Sequence, residues 1–261
     1  MFKLKLCAFC VVLVSIFAAM SLIGCDDSST GPGNNGGDGG NQSISDSSHF
    51  NPNINYGFFT DSRNNRSYRT VVIGSKTWMA ENLNFAGSGD DIGVCYSNSP
   101  DSCAKYGRLY MWNEAMNIDS AFNRSAWGGS NVNHRGVCPA GWHLPNNNDW
   151  DNLMEATGSV FSSPGGLGQW NEAGTKLKSQ TGWRTDSSSI PGTDEFGFSA
   201  LPGGSRDGNF AGVGRRGHWW SASELPENSA YLMSMDYNDA HMGRRWNNSK
   251  RIRFSVRCLR D

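Results

Sequence analysis

The chain has 261 residues, of which 24 are acidic and 23 are lysine or arginine, for a formal net charge of −1. With the sign alternating along the chain there is no basic stripe, which argues against a nucleic-acid partner. The 32 glycines and 10 tryptophans point away from a helical bundle and toward a loop-rich domain held by aromatic anchors.

Residues 1–24 read as a lipoprotein signal peptide. Lys3 and Lys5 precede an apolar run, Leu6 to Ile23, that stops at Leu22-Ile23-Gly24-Cys25. A small residue before the cut fits a signal peptidase site, and Cys25 is the expected lipidated first residue. The competing reading is an uncleaved anchor helix, since about 18 apolar residues nearly span a bilayer. Stable anchoring needs more than one acyl chain, such as palmitate, on Cys25. In either case the later residues lie outside the cytoplasm, in the cell envelope facing the periplasm or the exterior. Residues 25–54 are Gly, Asn, Ser and Asp with little to bury, so they are expected to form a disordered tether of roughly 30 Å reach.

Residues 55–261 then form one domain. Tyr68–Ile73 and Lys76–Ala80 flank Gly74-Ser75, a hairpin with glycine where a type II′ turn needs it. Tyr106–Trp112 reads as a strand entering a short helix, Asn113–Asn117. Asn148 is the expected N-cap of a helix over Asp149–Thr157, with Gly158 as its stop. Trp150, Leu153, Met154 and Thr157 share one helical face. A further short helix is expected at Thr175–Ser179. Gly182–Arg216 is a long irregular region carrying Phe196, Phe198 and Phe210. Strands follow at Gly217–Ala222, Ala230–Tyr237 and Lys250–Leu259. In the last, Ile252, Phe254, Val256 and Cys258 alternate with Arg251, Arg253, Ser255 and Arg257, which predicts one buried face and one arginine-bearing solvated face. The pattern is that of an α+β domain of short antiparallel strands, two or three short helices and a long loop region.

Beyond the leader and Cys25, four cysteines remain, and an even number in an exported domain implies disulfides. Of three pairings, proximity favours Cys95–Cys103, which leaves Cys138–Cys258. No CxxC occurs and no histidine lies at ligand spacing, so no metal and no cofactor are expected.

Several stretches resemble the Fibrobacter succinogenes major paralogous domain family. They are Thr70-Val71-Val72-Ile73-Gly74, Trp78-Met79-Ala80-Glu81-Asn82-Leu83-Asn84, Tyr106-Gly107-Arg108-Leu109-Tyr110-Met111-Trp112, Cys138-Pro139-Ala140-Gly141-Trp142-His143-Leu144-Pro145, Gly197-Phe198-Ser199-Ala200-Leu201-Pro202-Gly203-Gly204, Trp219-Trp220-Ser221-Ala222-Ser223 and Ser255-Val256-Arg257-Cys258. The resemblance implies an exported, often lipid-anchored protein. It also implies a C-type-lectin-like fold, shared more distantly with formylglycine-generating enzymes. The calcium-holding triplets of sugar-binding lectins do not occur here, and a bridged Cys258 could not serve as a nucleophile.

The expected function is therefore non-catalytic: a lipid-anchored envelope module binding a polysaccharide or an envelope protein. The alternatives are an enzyme of the formylglycine-generating (sulfatase-modifying) group and a structural envelope component. The expected ligand surface joins Gly182–Arg216 to Gly217–Ala222. Trp220 would be its stacking plane, and Asp194, Arg206, Asp207 and Asn209 its polar partners.

Overall fold

The computed structural model describes residues 47–162 and 168–261. The signal-peptide and Cys25 readings, and residues 25–46 of the tether, lie outside the described residues. No described helix is long and apolar enough to cross a membrane.

The architecture is α+β and mostly β. In chain order come β1 (Gly57–Asp61), β2 (Arg66–Ile73), β3 (Lys76–Met79), α1 (Pro100–Tyr106), β4 (Leu109–Tyr110) and α2 (Trp112–Met116). Next are β5 (Trp142–His143), α3 (Asn147–Ala156), β6 (Phe161–Ser162), β7 (Gly168–Trp170) and α4 (Ala173–Leu177). The small hairpin β8 (Ser205–Asp207) and β9 (Asn209–Ala211) precedes β10 (Arg216–Glu224), β11 (Ser229–Asp236), β12 (Met242–Ser249), β13 (Phe254–Ser255) and β14 (Leu259–Arg260). One sheet has the order β1-β2-β3-β14-β5 and the other β4-β13-β10-β11-β12-β7-β6.

The hairpin at Gly74-Ser75 forms as expected, with Gly74 at φ 62°. The main helix starts two residues early. Asn146, not Asn148, is its cap, accepting from the Asn148 and Asp149 amides at 2.8 and 3.1 Å while Asp149 accepts from the Asn146 amide at 3.0 Å. This reciprocal pair outcompetes a lone cap. Helix α4 likewise sits at Ala173–Leu177 rather than Thr175–Ser179. Trp150, Leu153 and Met154 are buried, as the periodicity requires.

Phe50 and Asn51, expected within the tether, are packed onto the domain. Phe50 is buried in the core, and the Asn51 side chain donates to the Asp194 carbonyl at 3.0 Å. One phenylalanine in an otherwise polar stretch is enough to dock it.

The larger correction concerns the sheet faces. Trp219, Met233, Met235 and Met242 join one apolar cluster, while Trp220, Ala222, Leu232 and Phe254 join a second. The seven-stranded sheet is therefore covered on both sides, and alternation along it does not separate core from solvent. The expected strand Lys250–Leu259 is broken into β13 and β14, and its arginine face does not exist as such. Ser255 and Arg257 are buried, as is Lys250. The Lys250 ammonium reaches Glu224 Oε2 at 2.7 Å and the Ser125 and Glu227 carbonyls at 3.0 and 3.1 Å.

Arg257 lies where the two sheets meet. Its Nη1 donates to the Met79 and Phe198 carbonyls at 3.1 and 2.6 Å. Its Nε and Nη2 donate to Asn82 Oδ1 at 3.2 and 2.9 Å, and Trp219 Nε1 donates to the same oxygen at 2.8 Å. Asn82 Nδ2 in turn donates to the Tyr106 carbonyl at 2.8 Å.

Both disulfides are present, Cys95–Cys103 and Cys138–Cys258, with sequence separations of 8 and 120. The chain-entropy relation assigns about 2.5 kcal/mol to the short loop and about 5 kcal/mol to the long one. Urea unfolding of the Cys138→Ala/Cys258→Ala and Cys95→Ala/Cys103→Ala variants is expected to show roughly twice the loss for the former. Equal losses would contradict the assignment of the long bridge as the main covalent brace.

Candidate functional site

The sequence-based site residues do not converge. Trp220 is fully buried, its Nε1 donating to the Tyr110 carbonyl at 2.7 Å and its ring edge-on to Phe254 at 4.7 Å. It offers no stacking plane to a ligand, because the opposite face of the sheet carries a second core rather than water. Asp194 is also fully buried. Its carboxylate accepts from the Ser199 amide at 2.6 Å, the Ser199 hydroxyl at 2.7 Å and the Tyr56 hydroxyl at 3.4 Å. Burial pushes its pKa up to about 6 despite these bonds and the nearby Arg257 charge. Asp194 fastens the long loop to Asn51 and Tyr56 and is closed off from the surface.

Arg206, Asp207 and Asn209 do come together, on the hairpin β8–β9 with Gly208 at its tip in a positive-φ conformation. Asp207 and Asn209 are exposed. The hairpin is fastened by reciprocal backbone bonds between Arg206 and Arg253 at 3.1 and 2.9 Å. The Arg206 guanidinium lies over the Phe210 ring at 5.0 Å, and Phe210 packs against Tyr96 with ring centroids 5.1 Å apart.

Tyr96 leads to a feature that sequence reasoning missed. Beside it opens a cleft of about 600 Å³ lined by Arg66, Asn84, Asp90, Asn98, Arg108 and the Cys95–Cys103 bridge, among others. Each wall has a local cause. Arg66 projects from the start of β2. Arg108 follows Gly107, whose φ of 74° turns the chain out of α1; a Cβ there would stand 2.8 Å from the Asn82 Cβ and the Leu83 carbonyl. The disulfide holds α1 to the turn at Tyr96–Asn98. The Arg108 guanidinium donates to the Gly93 and Ile92 carbonyls at 3.1 and 3.4 Å and to Asp90 Oδ1 at 2.5 Å. The signal available in the sequence was the polar loop Cys95-Tyr96-Ser97-Asn98-Ser99-Pro100-Asp101-Ser102-Cys103, which reads as a staple rather than as a wall.

A family-wide comparison matches residues 71–260 to the Fibrobacter succinogenes major domain. The chain belongs to this family. The matched span of the major domain contains both disulfides, Asn82, Arg257 and most of the cleft, and leaves out β1, Asn51, Tyr56 and Arg66. No curated protein and no solved structure matches the chain.

The other shifted ionisable groups of the domain serve the scaffold. His143 is buried; burial disfavours its charge, but the carboxylates of Asp149 and Asp261 beside its ring outweigh this and raise its pKa. Burial holds His218 down at about 4 and lowers Lys178 to about 8. The Lys178 ammonium donates to the carbonyls of Ile190, Asp236 and Asp239 at 2.7, 3.2 and 2.9 Å. All four described cysteines are bridged, so none supplies a thiolate.

Substitution separates the buried residues from the exposed ones. Trp220→Ala is expected to cost about 3–5 kcal/mol of stability, whereas Asp207→Ala and Asn209→Ala stay within about 0.5 kcal/mol of wild type. Chemical denaturation checks both. A fully stable Trp220→Ala protein would restore the surface reading of this residue.

Proposed function

We propose that the protein is a non-catalytic, lipid-anchored component of the cell envelope that displays a C-type-lectin-like domain to bind a glycan in the cleft beside Cys95–Cys103. One observation carries the reading. An open cleft braced by a disulfide is lined by the planar polar side chains of Arg66, Asn84, Asn98 and Arg108. Guanidinium and carboxamide groups hydrogen-bond in pairs, which suits the adjacent hydroxyls of a sugar ring.

The chemistry of the cysteines supports binding over catalysis, since a thiol-dependent reaction of the formylglycine-generating kind needs a thiolate. The lipid anchor rests on Leu22-Ile23-Gly24-Cys25. It places the domain where polymers of the envelope or the surroundings are within reach.

The test uses full-length protein purified in detergent and applied to a glycan array. Wild type is expected to retain at least one glycan class. Asn98→Ala, an exposed change, is expected to weaken that signal severalfold, at a stability cost of about 1 kcal/mol for alanine at φ 56°. Signals indifferent to Asn98→Ala and Arg66→Gln would remove the cleft from the account, and binding only to envelope proteins would replace the glycan by a protein partner.

A further inference from the structure

The electrostatics of the cleft go beyond its shape. Arg66 and Arg108 both line it, with Asp90 as the acidic residue of the same wall. The Nε atoms of both arginines are shielded from solvent and have no hydrogen-bond partner among the described residues. Arg66 gives one side-chain hydrogen bond, a long one of 3.3 Å to the Ala104 carbonyl. A guanidinium has five donors, so Arg66 is far from saturated. Arg108 differs. Two loop carbonyls fix one of its terminal nitrogens, and Asp90 takes the other.

The Asp90 contact is a poor permanent partner. Its side chain is 75% exposed, against 15% for Arg108. An ion pair open to water on one side contributes little stability, because solvent screens it and both side chains lose freedom. Asp90 also sits at φ 56°, a left-handed conformation that costs a non-glycine residue energy. It belongs to the turn Ala86-Gly87-Ser88-Gly89-Asp90-Asp91, closed by one hydrogen bond from the Ile92 amide to the Ala86 carbonyl at 3.0 Å. A carboxylate is thus held against a well-anchored arginine by a strained, glycine-rich turn.

We infer that the cleft is a receptor for carboxylated sugars, with Asp90 occupying the Arg108 carboxylate position until a ligand uronate displaces it. The inference rests on the glycan reading of the same cleft and adds the substrate class and its regulation. Arg108 would take one carboxylate of the glycan in the place of Asp90, and Arg66 would meet a second or the adjoining hydroxyls. Two guanidiniums facing one carboxylate leave an excess positive charge that a neutral glycan does not use. The remaining polar lining, Asn84 and Asn98, suits hydroxyls better than the apolar side chains of a peptide.

The test titrates the full-length protein in detergent with three probes: trigalacturonate, its methyl ester, and an acidic oligoglutamate peptide. Trigalacturonate is expected to bind at least tenfold tighter than its ester, and more weakly as salt rises. Asp90→Asn is expected to tighten trigalacturonate binding about two- to fivefold, the scale of releasing one exposed ion pair. Arg108→Gln is expected to weaken it tenfold or more, with some fall in melting temperature because the Ile92 and Gly93 carbonyls lose their donor. Arg66→Gln, which gives up one long hydrogen bond to the Ala104 carbonyl and a cation–π contact over the Tyr68 ring, provides the same test if Arg108→Gln disturbs the fold. Equal binding of the acid and the ester overturns the carboxylate claim and leaves the glycan reading intact. An unchanged or weakened Asp90→Asn affinity overturns the role of Asp90. Preference for oligoglutamate overturns the choice of a sugar. If neither trigalacturonate nor its ester binds and the array is also blank, both readings fall.

Discussion

The structure depends on the burial of one guanidinium. Arg257 is completely enclosed, and removing a charge from water is costly unless its hydrogen-bonding groups are satisfied. Here it donates to the carbonyls of Met79 and Phe198 and twice to Asn82, and the Phe198 ring lies 4.4 Å from it. Burial still pulls its pKa down, opposed by the negative charges of Glu81 and Asp194. The partners come from β3 and its continuation, from the long loop, and through Asn82 from β10 and the end of α1. A single oxygen, Asn82 Oδ1, receives Arg257 and Trp219 together. The two sheets and the irregular region are thereby set relative to one another by a network whose members have few alternative partners.

This explains why the family motifs are poor guides to a ligand. Trp78-Met79-Ala80-Glu81-Asn82-Leu83-Asn84, Gly197-Phe198, Trp219-Trp220 and Ser255-Val256-Arg257-Cys258 all supply the hub or the two cores around it. Trp112 and Trp220 point their indole N–H groups at the Ser221 and Tyr110 carbonyls, as buried indoles usually do. Of the cleft's polar lining, Arg66, Asp90 and Asn98 lie outside the quoted motifs; only Asn84 and Arg108 belong to them. Scaffold and cleft lining are largely different sets of residues, and the motifs mostly record the former.

The same division governs what the sequence made legible. The hairpin at Gly74, the apolar face of α3, both disulfides and the strands at Trp219-Trp220 and Tyr231–Met235 follow from local chemistry and are found. Strand β12 was not anticipated, because Gly243-Arg244-Arg245-Trp246-Asn247-Asn248 is polar and its pairing with β11 shifts register between Ala230 and Leu232, breaking the alternation. Helix α1 hid inside a loop reading, although Pro100 at its start was a usable cue. Trp220 and Arg257 were placed wrongly for one reason. Period-two alternation states that neighbours face opposite ways, but only the tertiary arrangement decides whether the second side is water or another core. The cleft was invisible because Arg66 is remote in sequence from Asp90 and Asn98 and each is individually unremarkable.

The central claim, that Asn82 and Arg257 act as one unit holding the domain together, is tested most directly by a double-mutant cycle. Asn82→Ala, Arg257→Met and the combined variant would be unfolded in urea. Each single change leaves buried partners unsatisfied and is expected to cost about 3 kcal/mol or more. The double variant should cost less than the sum, by about 1–3 kcal/mol of coupling. Strict additivity, or an Arg257→Met protein as stable as wild type, would contradict the account.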